Sequence, residues 1–227
     1  QANPQRDNSN EYSDRLLVNP QLLRYVPESA ERVCVGHPRN GCPRLQDDVN
    51  QRIVAAARAG RNVVRLKSGD PHIFGRGAEE VAALVAAGIP FEVVPGVTAA
   101  LAVASHAGIP MTHRDAASAV ALVTGHCRAD AGGRNLDYES LARFPGTLVF
   151  YMGVSTSRQW SAALLRGGRS ADTPAAIVRR ATWPDQETIR CTLGTLAEVI
   201  QQRGLRAPAV IVVGEAVGLA PQMPPTE

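Results

Sequence analysis

The densest run of residues able to do chemistry is Leu66-Lys67-Ser68-Gly69-Asp70-Pro71-His72-Ile73-Phe74-Gly75-Arg76-Gly77. An apolar strand that ends in Gly-Asp-Pro and reaches a helix through Gly-Arg-Gly exposes backbone N–H and C=O groups at the carboxyl edge of a sheet. Ligands of open α/β folds bind at that edge. A small polar ligand could dock there. The third glycine of a dinucleotide fingerprint is absent after Gly75 and Gly77, and no Lys-Ser/Thr pair follows to form a nucleotide P-loop. On its own the run also reads as a tight strand-to-helix connection.

The elements that must position this run follow from periodicity. Short β-branched stretches alternate with Ala/Leu-rich ones, the pattern of parallel α/β architecture. Strands are predicted over 32–36, 62–66 and 91–94, with helices over 47–59, 77–87 and 98–107. Gly108-Ile109-Pro110-Met111-Thr112 ends this part, because Gly stops a helix and Pro fixes an extended exit. Beyond it, strands are predicted over 119–124, 147–152, 175–179, 188–193 and 209–214, and helices over 156–165 and 196–203. A glycine-rich loop is expected around 131–134. The reading divides the chain into a polar tail (1–12), an amino-terminal α/β domain (13–112), a carboxyl-terminal α/β domain (113–220) and a second tail (221–227).

Composition narrows the partners. Of 227 residues, 44% are hydrophobic and 20% charged, and no apolar run reaches the roughly 18 residues of a membrane span. Lys and Arg number 24 against 21 acids, a net charge of +3, and Lys67 is the sole lysine. With only 4% aromatics, this is not a nucleic-acid-binding composition, whereas an arginine-rich surface suits carboxylate or phosphate ligands. The scattered Cys34, Cys42, Cys127 and Cys191 predict reduced thiols in a cytoplasm. Cys34, His37 and Cys42 are metal-type ligands, but Cys34 falls in a predicted strand and no fourth ligand is near, so no metal is expected.

Four further strings accompany the first in order. They are Gly88-Ile89-Pro90-Phe91-Glu92-Val93-Val94-Pro95-Gly96-Val97-Thr98-Ala99-Ala100, then Ala107-Gly108-Ile109-Pro110-Met111-Thr112-His113-Arg114, then Val123-Thr124-Gly125-His126, then Phe150-Tyr151-Met152-Gly153. Together they resemble the uroporphyrinogen-III C-methyltransferases of the tetrapyrrole methylase family over about 14–217. The resemblance implies two α/β domains with S-adenosylmethionine held between them, a homodimer as working unit, and methylation of uroporphyrinogen III at C2 and C7 to give precorrin-2. S-adenosylhomocysteine would be the by-product.

By match to the family motifs, Ser68, Gly69 and Asp70 would line the methionine and ribose part of the cofactor, with Ser68 standing where the family usually has Gly. Ile73, Thr98, Ala99 and Met152 fall on other cofactor-contacting positions, and Ala181 on one that is often Gly. The family's proposed base is an Asp in Tyr-Asp-Arg-Leu, which Asp14 matches except at the preceding Ser13; the alternative for Asp14 is a helix N-cap. A second acid-base residue, a family Lys, is replaced by His37, which can still exchange protons near neutral pH. Arg76, Arg114 and Arg128 are the expected contacts for a polycarboxylate substrate, and His113 and His126 lie near them in sequence.

Family members normally open on a strand and a Gly-x-Gly-Pro-Gly-Asp turn that walls the cofactor site, and residues 1–12 contain no glycine. The sequence is then either amino-terminally incomplete or a divergent member with weakened cofactor binding, and its first sheet would carry an unpaired edge. Two rival functions follow: methylation of a later corrinoid intermediate, or a non-catalytic module that binds a tetrapyrrole or a partner chain.

Overall fold

A computed structural model describes residues 19–35, 46–126 and 136–221, which fall into two units, Gln1–Thr98 and Ala99–Glu227. In the first unit, α1 (Gln46–Arg58) begins with Asp47 and Asp48 and ends with Arg58, charges that suit the two poles of the helix dipole. It buries Val49 and pairs with α2 (Gly77–Ala86), where Asn50 donates to the Glu79 carbonyl at 3.5 Å. Ahead of them, Pro20–Tyr25 forms a 3-10 turn whose Asn19 side chain accepts the Gln21 N–H at 3.0 Å, an element absent from the sequence reading.

The strands expected over 32–36, 62–66 and 91–94 form no ladder among the described residues. Val64 is 90% exposed and Val94 70%, whereas parallel strands are stable when both faces are covered.

The second unit is built on a five-stranded sheet of order β1-β2-β5-β3-β4, with β1 at Val120–Thr124, β2 at Thr147–Tyr151, β3 at Pro174–Arg179, β4 at Glu187–Thr192 and β5 at Ala209–Val213. Only β1 and β2 run parallel; the other three pairings are antiparallel, so the sheet is mixed rather than parallel as the alternating pattern suggested. Side chains two apart along a strand share a face, and the apolar runs supply both faces. Leu148, Phe150, Ile177, Ile211 and Val213 face one cluster with Trp160 and Leu164 of α5 (Ser157–Arg166) and Leu196 and Ile200 of α6 (Leu196–Gln202). Val149, Ala176, Val178, Val210 and Val212 face the other, against Ala100, Val103 and Ala107 of α3 (Ala99–Ala107). The helix expected within the amino-terminal domain thus contributes its small buried side chains to the second unit's core. Two short helices, α4 (Tyr138–Ala142) and α7 (Glu215–Gly218), complete the unit.

The middle strand, β5, is hydrogen-bonded on both sides and buried on both faces. An Ile211→Ala substitution there is expected to cost about 2–5 kcal/mol in denaturant unfolding, since Ile211 is wholly buried and its truncation leaves a cavity in the core.

Candidate functional site

The motif residues gather into two groups, one in each unit. In the first unit the run after Lys67 folds around a carboxylate. Asp70 accepts the His72 N–H at 2.9 Å through Oδ1 and the Gly96 N–H at 3.1 Å through Oδ2. These donors, Gly96 foremost, hold its carboxyl below the usual aspartate range. The loop is closed by Gly77 N–H donating to the Pro71 carbonyl at 2.9 Å. Main chain meets main chain where the two loops touch: a Cβ on Gly96 would stand 2.2 Å from the Gly69 carbonyl oxygen, and Gly69 itself has φ +69°. Phe74 and Arg76 also adopt left-handed backbone, φ 55° and 57°, the kind of local strain that collects at functional loops.

Behind the loop lies a buried charge cluster. Glu80, 6% exposed, accepts hydrogen bonds from Lys67 Nζ at 2.8 Å, Arg65 Nε at 3.1 Å and Gln46 Nε2 at 3.1 Å. Burial pushes its pKa up, but the Lys67 hydrogen bond and the Arg65 and Lys67 charges outweigh burial and leave it below the ordinary glutamate value. The chain's one lysine thereby ties the residue preceding Ser68 to α2, while Gln46 ties α1 to the same carboxylate.

Of the cofactor positions read from sequence, the structure groups Ser68, Gly69, Asp70 and Ile73 on this loop, beside the 95–98 loop that carries Thr98. Ser68, Gly69 and Ile73 are exposed, Asp70 is half-buried and Thr98 is buried. Arg76 is held in a bidentate pair with Glu79, at 2.7 and 2.6 Å, which raises its pKa.

In the second unit Ala99, Tyr151 and Ala181 pack against the same core cluster. The Tyr151 hydroxyl accepts the Ala100 N–H at 2.9 Å and so caps the start of α3 beside Ala99. The next residue, Met152, is half-exposed with φ 54°. Ala181 sits between Arg180 and Thr182, both left-handed, in a loop closed by Arg180 donating to Asp185 at 2.7 Å and by the Arg180 guanidinium lying 4.2 Å from the Trp183 ring centroid. Gln186 accepts the Thr182 N–H at 2.9 Å and donates to the His106 carbonyl at 3.2 Å, which joins this loop to the end of α3. Arg114 and His126 are exposed, and His113 Nδ1 accepts the Asp115 N–H at 3.2 Å.

Asp14, His37 and Arg128 lie outside the described residues, as does Cys42 of the metal-type triplet. Cys34 and Cys191 are free, and burial pushes the Cys191 thiol up to about 11. Among the described residues no group of three His, Cys, Asp or Glu side chains gathers to hold a metal, and no helix is long and apolar enough to cross a membrane. Sequence reasoning missed Glu80, Tyr151 and Gln186. Each acts through a partner 13 or more positions away, which no local pattern discloses.

The model of the Tetrapyrrole (Corrin/Porphyrin) Methylases matches residues 12–197. The chain belongs to this family. It is 49% identical over 207 residues to a siroheme synthase of Chromobacterium violaceum and 47% identical over 207 residues to siroheme synthase 2 of Yersinia pestis, in each case over 91% of this chain. The alignments span 44% and 43% of those relatives, so the chain covers less than half the length of the curated proteins it matches. Among solved structures, the uroporphyrin-III C-methyl transferase of Thermus thermophilus in complex with S-adenyl homocysteine superposes with TM-score 0.71 and 39% identity, over 84% of this chain and 80% of that one. A cobalt precorrin-4 methyltransferase gives TM-score 0.75 at 27% identity, over 88% and 81%. The mixed α/β architecture is thus that of the methylase family.

The Glu80 cluster makes acid stability a direct readout of loop anchoring. Because its folded pKa lies below the unfolded value near 4.5, its contribution is complete above that pH and is lost as pH falls through the folded pKa. A Glu80→Gln variant is expected to be less stable than the parent by roughly 3 kcal/mol at pH 7, the cost of leaving Lys67 without its partner. The gap should narrow as pH falls below 4.5 toward the lowered folded pKa, in denaturant titrations repeated across pH.

Proposed function

We propose that this chain transfers methyl groups from S-adenosylmethionine to C2 and C7 of uroporphyrinogen III, yielding precorrin-2 and S-adenosylhomocysteine. The observation that carries the reading is the backbone contact of Gly96 on the Gly69 carbonyl, with Asp70 bonded across it, in a chain that shares 39% identity with a uroporphyrin-III C-methyl transferase. Lower identity to the precorrin-4 enzyme, 27%, makes a later corrinoid intermediate the second choice.

The residues suit the cofactor. Exposed Ser68 and Gly69 offer main chain without bulk, Ala99 and Ala181 are small, and Met152 is half-exposed on a left-handed backbone. When bound, S-adenosylmethionine supplies a methyl already activated on a sulfonium centre. This chain then needs chiefly to align it with the nucleophilic pyrrole carbon, and alignment alone is worth roughly 7–11 kcal/mol. Asp70 serves as the pin that fixes the loop under the ligand, since both its oxygens already accept backbone N–H groups.

On the substrate side, Arg76 exchanges its exposed partner Glu79 for a substrate carboxylate. Such surface pairs are worth little and are readily traded. Arg114 and Arg128 add further guanidinium forks, Asp14 takes the departing proton, and His37 stands in for the family lysine. The working unit is a homodimer, which would cover apolar side chains exposed within each unit, such as Val94 in the first and Leu101 in the second. Free Cys34 and Cys191 fit a cytoplasmic setting.

Anaerobic incubation with uroporphyrinogen III and methyl-labelled S-adenosylmethionine, read by mass spectrometry, tests this. Two labelled methyls per product are expected. Tetrapyrrole binding without any label would instead support a non-catalytic module, and a label appearing only on later corrinoid intermediates would move the enzyme along its pathway.

A further inference from the structure

We propose that Trp160 is a positioning residue for cofactor binding, acting through the Gly153 carbonyl to hold Met152 in its left-handed conformation; this rests on the cofactor reading above. Trp160 is 1% exposed, and its ring stacks on Phe150 with centroids 3.9 Å apart and planes 11° from parallel. A buried indole N–H needs an acceptor. It finds one outside its own helix, donating to the Gly153 carbonyl at 2.8 Å.

That carbonyl directly follows Met152, the non-glycine residue with φ 54° at the carboxyl end of β2. On the other flank the Tyr151 carbonyl accepts the Gly125 N–H at 2.7 Å. Gly125 lies so close that a Cβ on it would meet the Gly153 Cα at 2.3 Å, and its own carbonyl accepts the Thr156 hydroxyl at 2.5 Å. The carbonyls before and after Met152 are therefore both tied, one to the loop after β1 and one to the core. Met152 itself stays half-exposed between them. Left-handed backbone is unfavourable for Met and persists only where its surroundings fix it.

The test is calorimetric titration of the full chain and three variants with S-adenosylhomocysteine, together with KM and kcat for methyl transfer. Trp160→Phe keeps the ring and removes the donor. Thr156→Val loosens the same bracket from the loop side without entering the core. Ile177→Val trims a fully buried side chain of the same core cluster but touches neither loop. Trp160→Phe and Thr156→Val are expected to weaken S-adenosylhomocysteine about tenfold, the scale of one lost hydrogen bond, and to raise KM for S-adenosylmethionine with kcat little changed. Ile177→Val should bind like the parent. Parental affinity in both loop variants, or equal weakening in Ile177→Val, would overturn the proposal. A parent chain that binds no S-adenosylhomocysteine would instead overturn the cofactor reading on which it rests.

Discussion

Main chain pressed against main chain is the constraint on which the site depends. Gly96 abuts the Gly69 carbonyl in one unit and Gly125 abuts Gly153 in the other, each at a distance that leaves no room for a Cβ. Within each unit these contacts bring together loops whose residues are small or left-handed, leaving Ser68 and Gly69 exposed with little side-chain bulk and Met152 half-exposed. A bulky, largely neutral ligand such as a nucleoside is well served by such walls, because hydrogen bonds to peptide groups are directional and cost no side-chain entropy.

Each contact is backed by a different kind of support. Behind the Gly69 loop stands an ionic cluster, with Glu80 collecting Lys67 and Arg65 from one segment of the chain and Gln46 from another. Behind the Gly153 loop stands an aromatic core, Phe150 and Trp160, with one buried hydrogen bond reaching outward. The first responds to acid and the second does not, so the two loops should fail under different conditions.

Much of this was legible in the sequence, and the failures have physical causes. The runs that became β2, β3 and β5 carry near-continuous apolar stretches, with Thr147 and Arg179 only at strand ends, and a strand buried on both faces needs no alternation to be found. Their mutual direction was not legible. Alternating strand and helix signals suggested parallel pairing, but direction is set by which strands become neighbours, and β5 inserts antiparallel between β2 and β3. Apolar stretches over 62–66 and 91–94 look just as strand-like, yet they form no ladder, because a stretch pairs only if a partner covers it. For the candidate site, the motif strings nominate Gly69, Asp70, Ala99 and Met152, while Glu80, Tyr151 and Trp160, which brace the loops those residues lie on, could not be read because their partners are distant in sequence or, for Trp160, a matter of which way one ring points.

On the proposed reading, the close approach of Gly96 to the Gly69 carbonyl shapes the cofactor cradle. Calorimetric titration of the parent chain and Gly96→Ala with S-adenosylhomocysteine tests it most directly, since the added Cβ would collide with the Gly69 carbonyl oxygen 2.2 Å away and must part the loops. Micromolar binding is expected for the parent, with most of that affinity lost in a variant that remains folded by circular dichroism. Equal affinity in the two chains would contradict it.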